Sequence, residues 1–194
     1  MSRRRSLGEY KAIDLFLFAL MLVVFEAVIY TAATRLFPAE PYTVSVVASI
    51  TAIIMMRWGA FAAIHAVLGG IVYSYLSHAS AGQYVIYTAG NLFALIALPV
   101  LMKIGKEQIR TDALRSMAFA LLVQLLMQFG RMCVALVMGN PIGTCLGFFT
   151  TDVISDLFTV VIIWIARRLD GIFEDQKHYL LRIQEETEKD KGTY

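Results

Sequence analysis

The side chains able to do chemistry in this chain stand inside stretches that are otherwise apolar. Glu26, Asn91, Gln128, Arg131, Asp152 and Asp156 interrupt runs rich in Leu, Ile, Val, Phe and Met. A charged group held in hydrocarbon costs from about 2.5 kcal/mol upward, so each one needs a reason. Their spacing supplies the first part of it. Gln124, Gln128 and Arg131 fall at i, i+4 and i+7 and share one helical face. Tyr84, Tyr87 and Asn91 repeat that pattern, Asp152 and Asp156 form a one-turn pair, and Glu26 shares a face with Tyr30. Arg35, nine positions after Glu26, points half a revolution away and is expected to snorkel to headgroups. Such a set can pair charges between helices, carry protons, or bind a small polar molecule.

Depth narrows the choice. At about 1.5 Å per residue, Asn91 and Arg131 lie about 10 Å in from one end of their helices, with Gln128 one turn deeper. Asp152 and Asp156 enter from that same end, and Glu26 sits near the middle of its own helix. The expectation is a polar, outward-facing cavity lined by Glu26, Tyr30, Tyr84, Tyr87, Asn91, Gln128, Arg131, Asp152 and Asp156. A guanidinium stays protonated, so Arg131 must find Asp156, Glu26 or an acidic group of a cargo. Three acids (Glu26, Asp152, Asp156) face one deep base, so either an acid is protonated or the cargo brings a positive nitrogen. Interhelical hydrogen bonding alone is the alternative for each residue taken singly.

These residues need elements to carry them. The chain has 194 residues, 58% hydrophobic and 16% charged, with a mean hydropathy of +0.66. A soluble domain carries roughly a quarter charged residues, and even a 150-residue domain buries only about 70% of its surface. The composition excludes a soluble enzyme, a secreted disulfide scaffold and a nucleic-acid module. It predicts an all-α polytopic membrane bundle of six spans, at 13–36, 43–56, 60–76, 84–102, 116–138 and 148–166. Residues 1–12 and 167–194 remain as tails. Arg57-Trp58-Gly59 makes a tight turn between the short second and third spans; Pro38 and Pro41 break the chain after the first, and Gly139-Asn140-Pro141 with Gly143 after the fifth. On this path 15 of the 17 basic residues lie on one side, from Arg3, Arg4, Arg5 and Lys11 through Arg57 and Lys103–Arg115 to Lys189 and Lys191. The positive-inside rule then puts both termini in the cytoplasm. The tail after Arg167 spaces Ile172, Phe173, Tyr179, Leu180 and Ile183 as an amphipathic extension of the sixth span.

Other features read as packing. Ala62, Ala66, Gly70 and Ser74 recur every four residues, which permits close helix approach or offers a smooth face for docking a partner. His65, beside that stripe, and Cys133 and Cys145, which lack metal-ligand spacing, are expected to be structural. The chain has no G-x-x-x-x-G-K-[ST], no G-x-S-x-G and no H-E-x-x-H, so neither ATP use nor hydrolysis has visible machinery, and no metal or cofactor is expected.

The sequence resembles the substrate-binding S components of energy-coupling factor (ECF) vitamin transporters. The resemblance covers nearly the whole chain and includes Arg57-Trp58-Gly59-Ala60-Phe61-Ala62-Ala63 and the segment Gly147-Phe148-Phe149-Thr150-Thr151-Asp152-Val153-Ile154-Ser155-Asp156-Leu157. It departs from the family at the first helix, where Ala27-x-x-x-Thr31 stands for the usual A-x-x-x-A contact motif. The resemblance implies a non-enzymatic subunit of the cell membrane that captures a small micronutrient in a pocket closed by outer loops. Here those loops would be 37–42, 77–83 and 139–147. It also implies partners, a membrane coupling subunit and two ATPases, with Ala62, Ala66 and Gly70 as the docking stripe. A rod-shape-determining protein D type scaffold, a small proton-coupled secondary transporter and, last, an intramembrane enzyme are the competing classes.

Overall fold

The computed structural model describes residues 6–39 and 43–191, with side chains followed to 183. Arg3, Arg4, Arg5 and Pro41 lie outside the described residues, as do the side chains of Lys189 and Lys191. Every regular element among the described residues is helical.

The first helix, α1 (Leu7–Leu36), starts well before residue 13 because Ser6 and Glu9 close a reciprocal capping box. Residues 7–12 of the expected tail are therefore helix. Residues 43–46 are irregular rather than part of the second helix, since other groups engage their backbone. Thr43 N–H donates to the Thr151 carbonyl (2.9 Å), Ser45 N–H to Ser155 Oγ (3.1 Å) and Val46 N–H to Glu26 Oε2 (2.9 Å). Helix α2 (Val47–Trp58) follows, buried from Val47 through Arg57. The chain then reverses at Gly59, whose φ of +61° is costly for a residue bearing a Cβ. Helix α3 (Ala62–Leu76) returns so closely that a Cβ on Gly69 would collide with Val47.

Helix α4 (Ala81–Asn91) begins with a second capping box, Ser80 with Gln83. It tightens into a 3₁₀ stretch, Leu92–Ala97, before α5 (Leu98–Ile104). Pro99 explains this change, because it has no N–H to give the carbonyl four residues back. Helix α6 (Lys106–Thr111) is short, and α7 (Ala113–Val137) is capped by Asp112, whose side chain accepts from Leu114 and Arg115 N–H. The expected sixth span is two helices, α8 (Ile142–Thr151) and α9 (Val153–Ala166), broken at Asp152. Five stretches are long and apolar enough to cross a membrane: Leu7–Leu36, Val47–Leu76, Ala81–Ile104, Ala113–Val137 and Ile142–Ala166. The second of these is the α2–α3 hairpin.

The tail does not simply extend α9. Residues Arg167–Asp175 form turns, with Gly171 at φ +70°, and α10 (Gln176–Lys191) begins afresh. Phe173 is buried in the same apolar core as Ile54, Met55, Met127 and Ile163, so the tail's start belongs to the bundle.

Helix α7 is central, packing on α2, α4, α8 and α9. Its crossing with α4 is exceptionally close, since a Cβ on Gly90 would lie 2.6 Å from Arg131 Cα. Gly90→Ala must push two backbones apart, and we expect a loss of about 1–3 kcal/mol in detergent unfolding titrations. The small-residue stripe works in the same way. Ala62 and Ala66 are fully buried, and a Cβ on Gly70 would lie 2.8–2.9 Å from the Tyr87–Thr88 backbone, so these residues join helices within the bundle rather than offer a docking face. His65 is also interior, its Nε2 3.1 Å from the Leu15 carbonyl. Both cysteines are free, and Cys145 is buried beside Ile86 and Ala135.

Candidate functional site

Two buried polar assemblies occupy opposite ends of the bundle. The sequence pointed to one of them. Arg131, on α7, donates from Nε to Asn91 Oδ1 (2.8 Å) and from Nη1 to Asp152 Oδ2 (2.6 Å), and its guanidinium lies 5.1 Å from the Tyr87 ring centroid. Asn91 in turn donates to the Ala66 carbonyl (3.0 Å), which ties α4 to α3. Thr43 Oγ1 donates to the other Asp152 oxygen. The break between α8 and α9 turns Asp152 toward this group, so the residue that interrupts the helix is also the partner of the arginine.

Around that pair the expected residues sort themselves. Gln128 donates to Asp156 Oδ1 (2.7 Å), so Asp156 is not the partner of Arg131. Glu26 is not either: it is fully buried, and its Oε2 accepts the Val46 N–H. The reason is reach, because the irregular 43–46 segment lies at Glu26 and the helix break brings Asp152 to Arg131. Tyr30 meets the Tyr73 ring edge-on at 6.0 Å, and Tyr73 meets Tyr87 at 4.7 Å, with Phe148 beyond. Tyr84 stays half-buried on α4 and makes none of these contacts. Thr43, Ser45, Tyr73 and Ser155 complete the group. Thr43 and Ser155 lie outside the helical periodicity that drew attention to the others.

The space enclosed by Thr43, Ser45, Tyr73, Tyr87, Asn91, Arg131 and Asp152 is about 10 Å³. That is about the threshold for one water. The side chains gather where a cavity was expected, but they fill it with one another. Two larger hollows lie elsewhere. One of about 480 Å³ is wholly apolar, between α1, α2 and α9. One of about 630 Å³ is edged by Lys106, Glu107, Arg110, Glu174, Asp175 and Arg182.

The second assembly was not foreseen. Arg57 grips Asp14 with both Nε (2.8 Å) and Nη2 (2.5 Å), and Trp58 Nε1 donates to the same carboxylate (2.6 Å). Arg57 Nη1 reaches the Gly171 and Ile172 carbonyls. Tyr10 Oη donates to Gln176 Oε1 (3.2 Å), so the described start of the chain and the beginning of α10 meet at one end. Lys106–Asp175 (2.5 Å) and Arg110–Glu174 (3.7 Å) pin the tail to the α5–α6 region.

Asp175 is the titrating member of that anchorage. Burial pushes its carboxyl up, but hydrogen bonds from Lys106 Nζ and the His178 N–H, with the charges behind them, hold it below the usual range. A depressed carboxyl adds stability in full above its unfolded value, about 3.9, and loses it as pH falls through the folded value. We therefore expect α10 to loosen on acidification below about pH 4, read as faster pepsin cleavage near Asp175. Lys106→Ala should start that loosening at higher pH.

Fold and site together define an all-α protein built from several long apolar helices, suited to a membrane, with buried ion pairs at both ends of the bundle. Compared with protein-family models, with curated proteins and with solved structures, the chain matches none.

Proposed function

We propose that the chain is the substrate-binding membrane subunit of an ECF-type importer, capturing a small water-soluble micronutrient for release by a coupling subunit and two ATPases. The observation that carries this reading is the concentration of Glu26, Asn91, Gln128, Arg131 and Asp152, all buried, in the half of the bundle away from the tails. Ionisable groups buried in an apolar membrane bundle are costly and commonly line substrate or ion paths. The missing ATP motif fits a subunit powered by others. On this reading the bundle crosses the membrane of a prokaryotic cell six times, the α2–α3 hairpin counting twice, with both tails cytoplasmic beside the basic residues. The Arg131 end then faces outward. Cargo would require Tyr73, Tyr87 and segment 43–46 to part, because ligand pockets run to about 300 Å³ or more.

One observation favours a second reading, a ligand-free membrane scaffold: Arg131, Asp152, Asn91 and Thr43 satisfy one another and leave about 10 Å³. Native mass spectrometry of purified protein, with thermal-shift screening of vitamins and their precursors, separates the two. A cargo at about 100 times its dissociation constant stabilises by about 2.7 kcal/mol. A co-purifying molecule and ATPases recovered in a detergent pull-down are the expected result. With no bound molecule and no stabiliser, the scaffold reading replaces this one.

A further inference from the structure

The charges of the polar group do not balance, and the imbalance has one sign. Glu26, Asp152 and Asp156 bring three carboxyl groups to one guanidinium, and that guanidinium is taken by Asp152 and Asn91. Asp156 is met by amides alone, Gln128 at 2.7 Å and the Gln124 side chain beside it, and by no cation in direct contact among the described residues. Glu26 is wholly buried, its Oε2 accepts the Val46 N–H, and its Oε1 is buried with no hydrogen-bond partner. Gln128 Oε1 is buried in the same condition. Both orphaned atoms are acceptors. An acceptor removed from water and left without a donor carries its full desolvation cost, most of all on a carboxylate.

Glu26 also adjoins the enclosed space: Ser45, which lines it, is its neighbour, and Arg131 and Asp152 act on it electrostatically. One turn along α1 the Tyr30 ring packs against Tyr73, so aromatic surface stands beside the carboxylate. Carboxylate and aromatic ring together suit an organic cation. Among the described residues no group of three or more His, Cys, Asp and Glu is placed to hold a metal ion.

Resting on the cargo-binding reading, we propose that the cargo is cationic, carrying a protonated nitrogen that donates to Glu26 Oε1. The Arg131–Asp152 pair stays closed on itself and shapes the far wall. Glu26 thereby selects charge, and the aromatic side chains select shape.

The test is made on the purified full chain in detergent at neutral pH. Melting is followed in methylammonium, ethylammonium or imidazolium chloride, against sodium chloride, sodium acetate and acetamide at matched ionic strength. The organic cations should raise the melting temperature above every control. Glu26→Gln should weaken that effect about tenfold or more, the scale of one charge-assisted hydrogen bond. Equal shifts from cations and controls overturn the proposal, as does a cation effect that survives Glu26→Gln. Should Glu26→Gln not fold, Glu26→Asp decides, and unchanged cation affinity in it overturns the assignment. A neutral or anionic vitamin that stabilises the parent sinks the cationic class and leaves cargo binding standing. No stabiliser of any charge sinks both.

Discussion

Arg131→Ala is expected to cost about 3–5 kcal/mol of folding stability, the range for removing one member of a buried pair. The cost comes less from the lost attraction than from what stays behind. Asp152 is 5% exposed and would be left with Thr43 as its side-chain donor among the described residues, while Asn91 Oδ1 would lose the Arg131 donor. Arg131→Lys should recover part, because one ammonium can meet Asp152 but cannot reproduce the fork that also holds Asn91. Arg131→Met combined with Asp152→Leu should recover most of the stability, since removing both charges removes the stranded one. Unfolding in detergent, compared across the four proteins, checks the order. A single alanine variant as stable as the parent would mean that water reaches Asp152.

Arg57→Ala should be of similar size, about 3–5 kcal/mol, at the opposite end. Arg57 is 4% exposed and simultaneously satisfies the Asp14 carboxylate and the carbonyls of Gly171 and Ile172. Its loss strands a carboxylate on α1 and also frees the turn that seats Phe173. The distinguishing sign is local. Protease cleavage between residues 167 and 175 should rise far more in Arg57→Ala than in Arg131→Ala at equal loss of global stability. Asp14→Asn should fall between, because an amide still accepts from Arg57 and Trp58.

The gathering of Glu26, Asn91, Gln128, Arg131 and Asp152 was legible because helical spacing and depth are both periodic quantities, countable along a line of letters. The choice of Asp152 over Asp156 was not. It depends on a helix break at Asp152, within a stretch that reads as one continuous apolar run. Asp14 escaped notice for a related reason. It stands near the start of its helix, where a charge looks solvated, and only the hairpin turn at Gly59 brings Arg57 and Trp58 to it. Tyr84 shows the converse error: its phase matches Tyr87 and Asn91, but it lies too far along α4 to reach Arg131. The break in the tail at 167–175 was not legible because alternating charge and apolar residues suggest one continuous surface helix, whereas Phe173 is a plug, Gly171 a turn, and helix resumes only at Gln176.

The shortness of α2 has a consequence for how the chain must be made. Twelve residues rise about 18 Å, well under the roughly 30 Å of hydrocarbon, so α2 cannot settle across a bilayer as an independent unit. Its neighbours include α1, α3, α7 and α9, of which α9 ends at Ala166. Until that residue leaves the ribosome, part of the sleeve around α2 does not exist. If the hairpin is membrane-embedded as proposed, α2 enters together with α3, and its permanent seat forms only after synthesis of the bundle is nearly complete. Quality control that senses half-finished membrane proteins would find its longest-lived signal there.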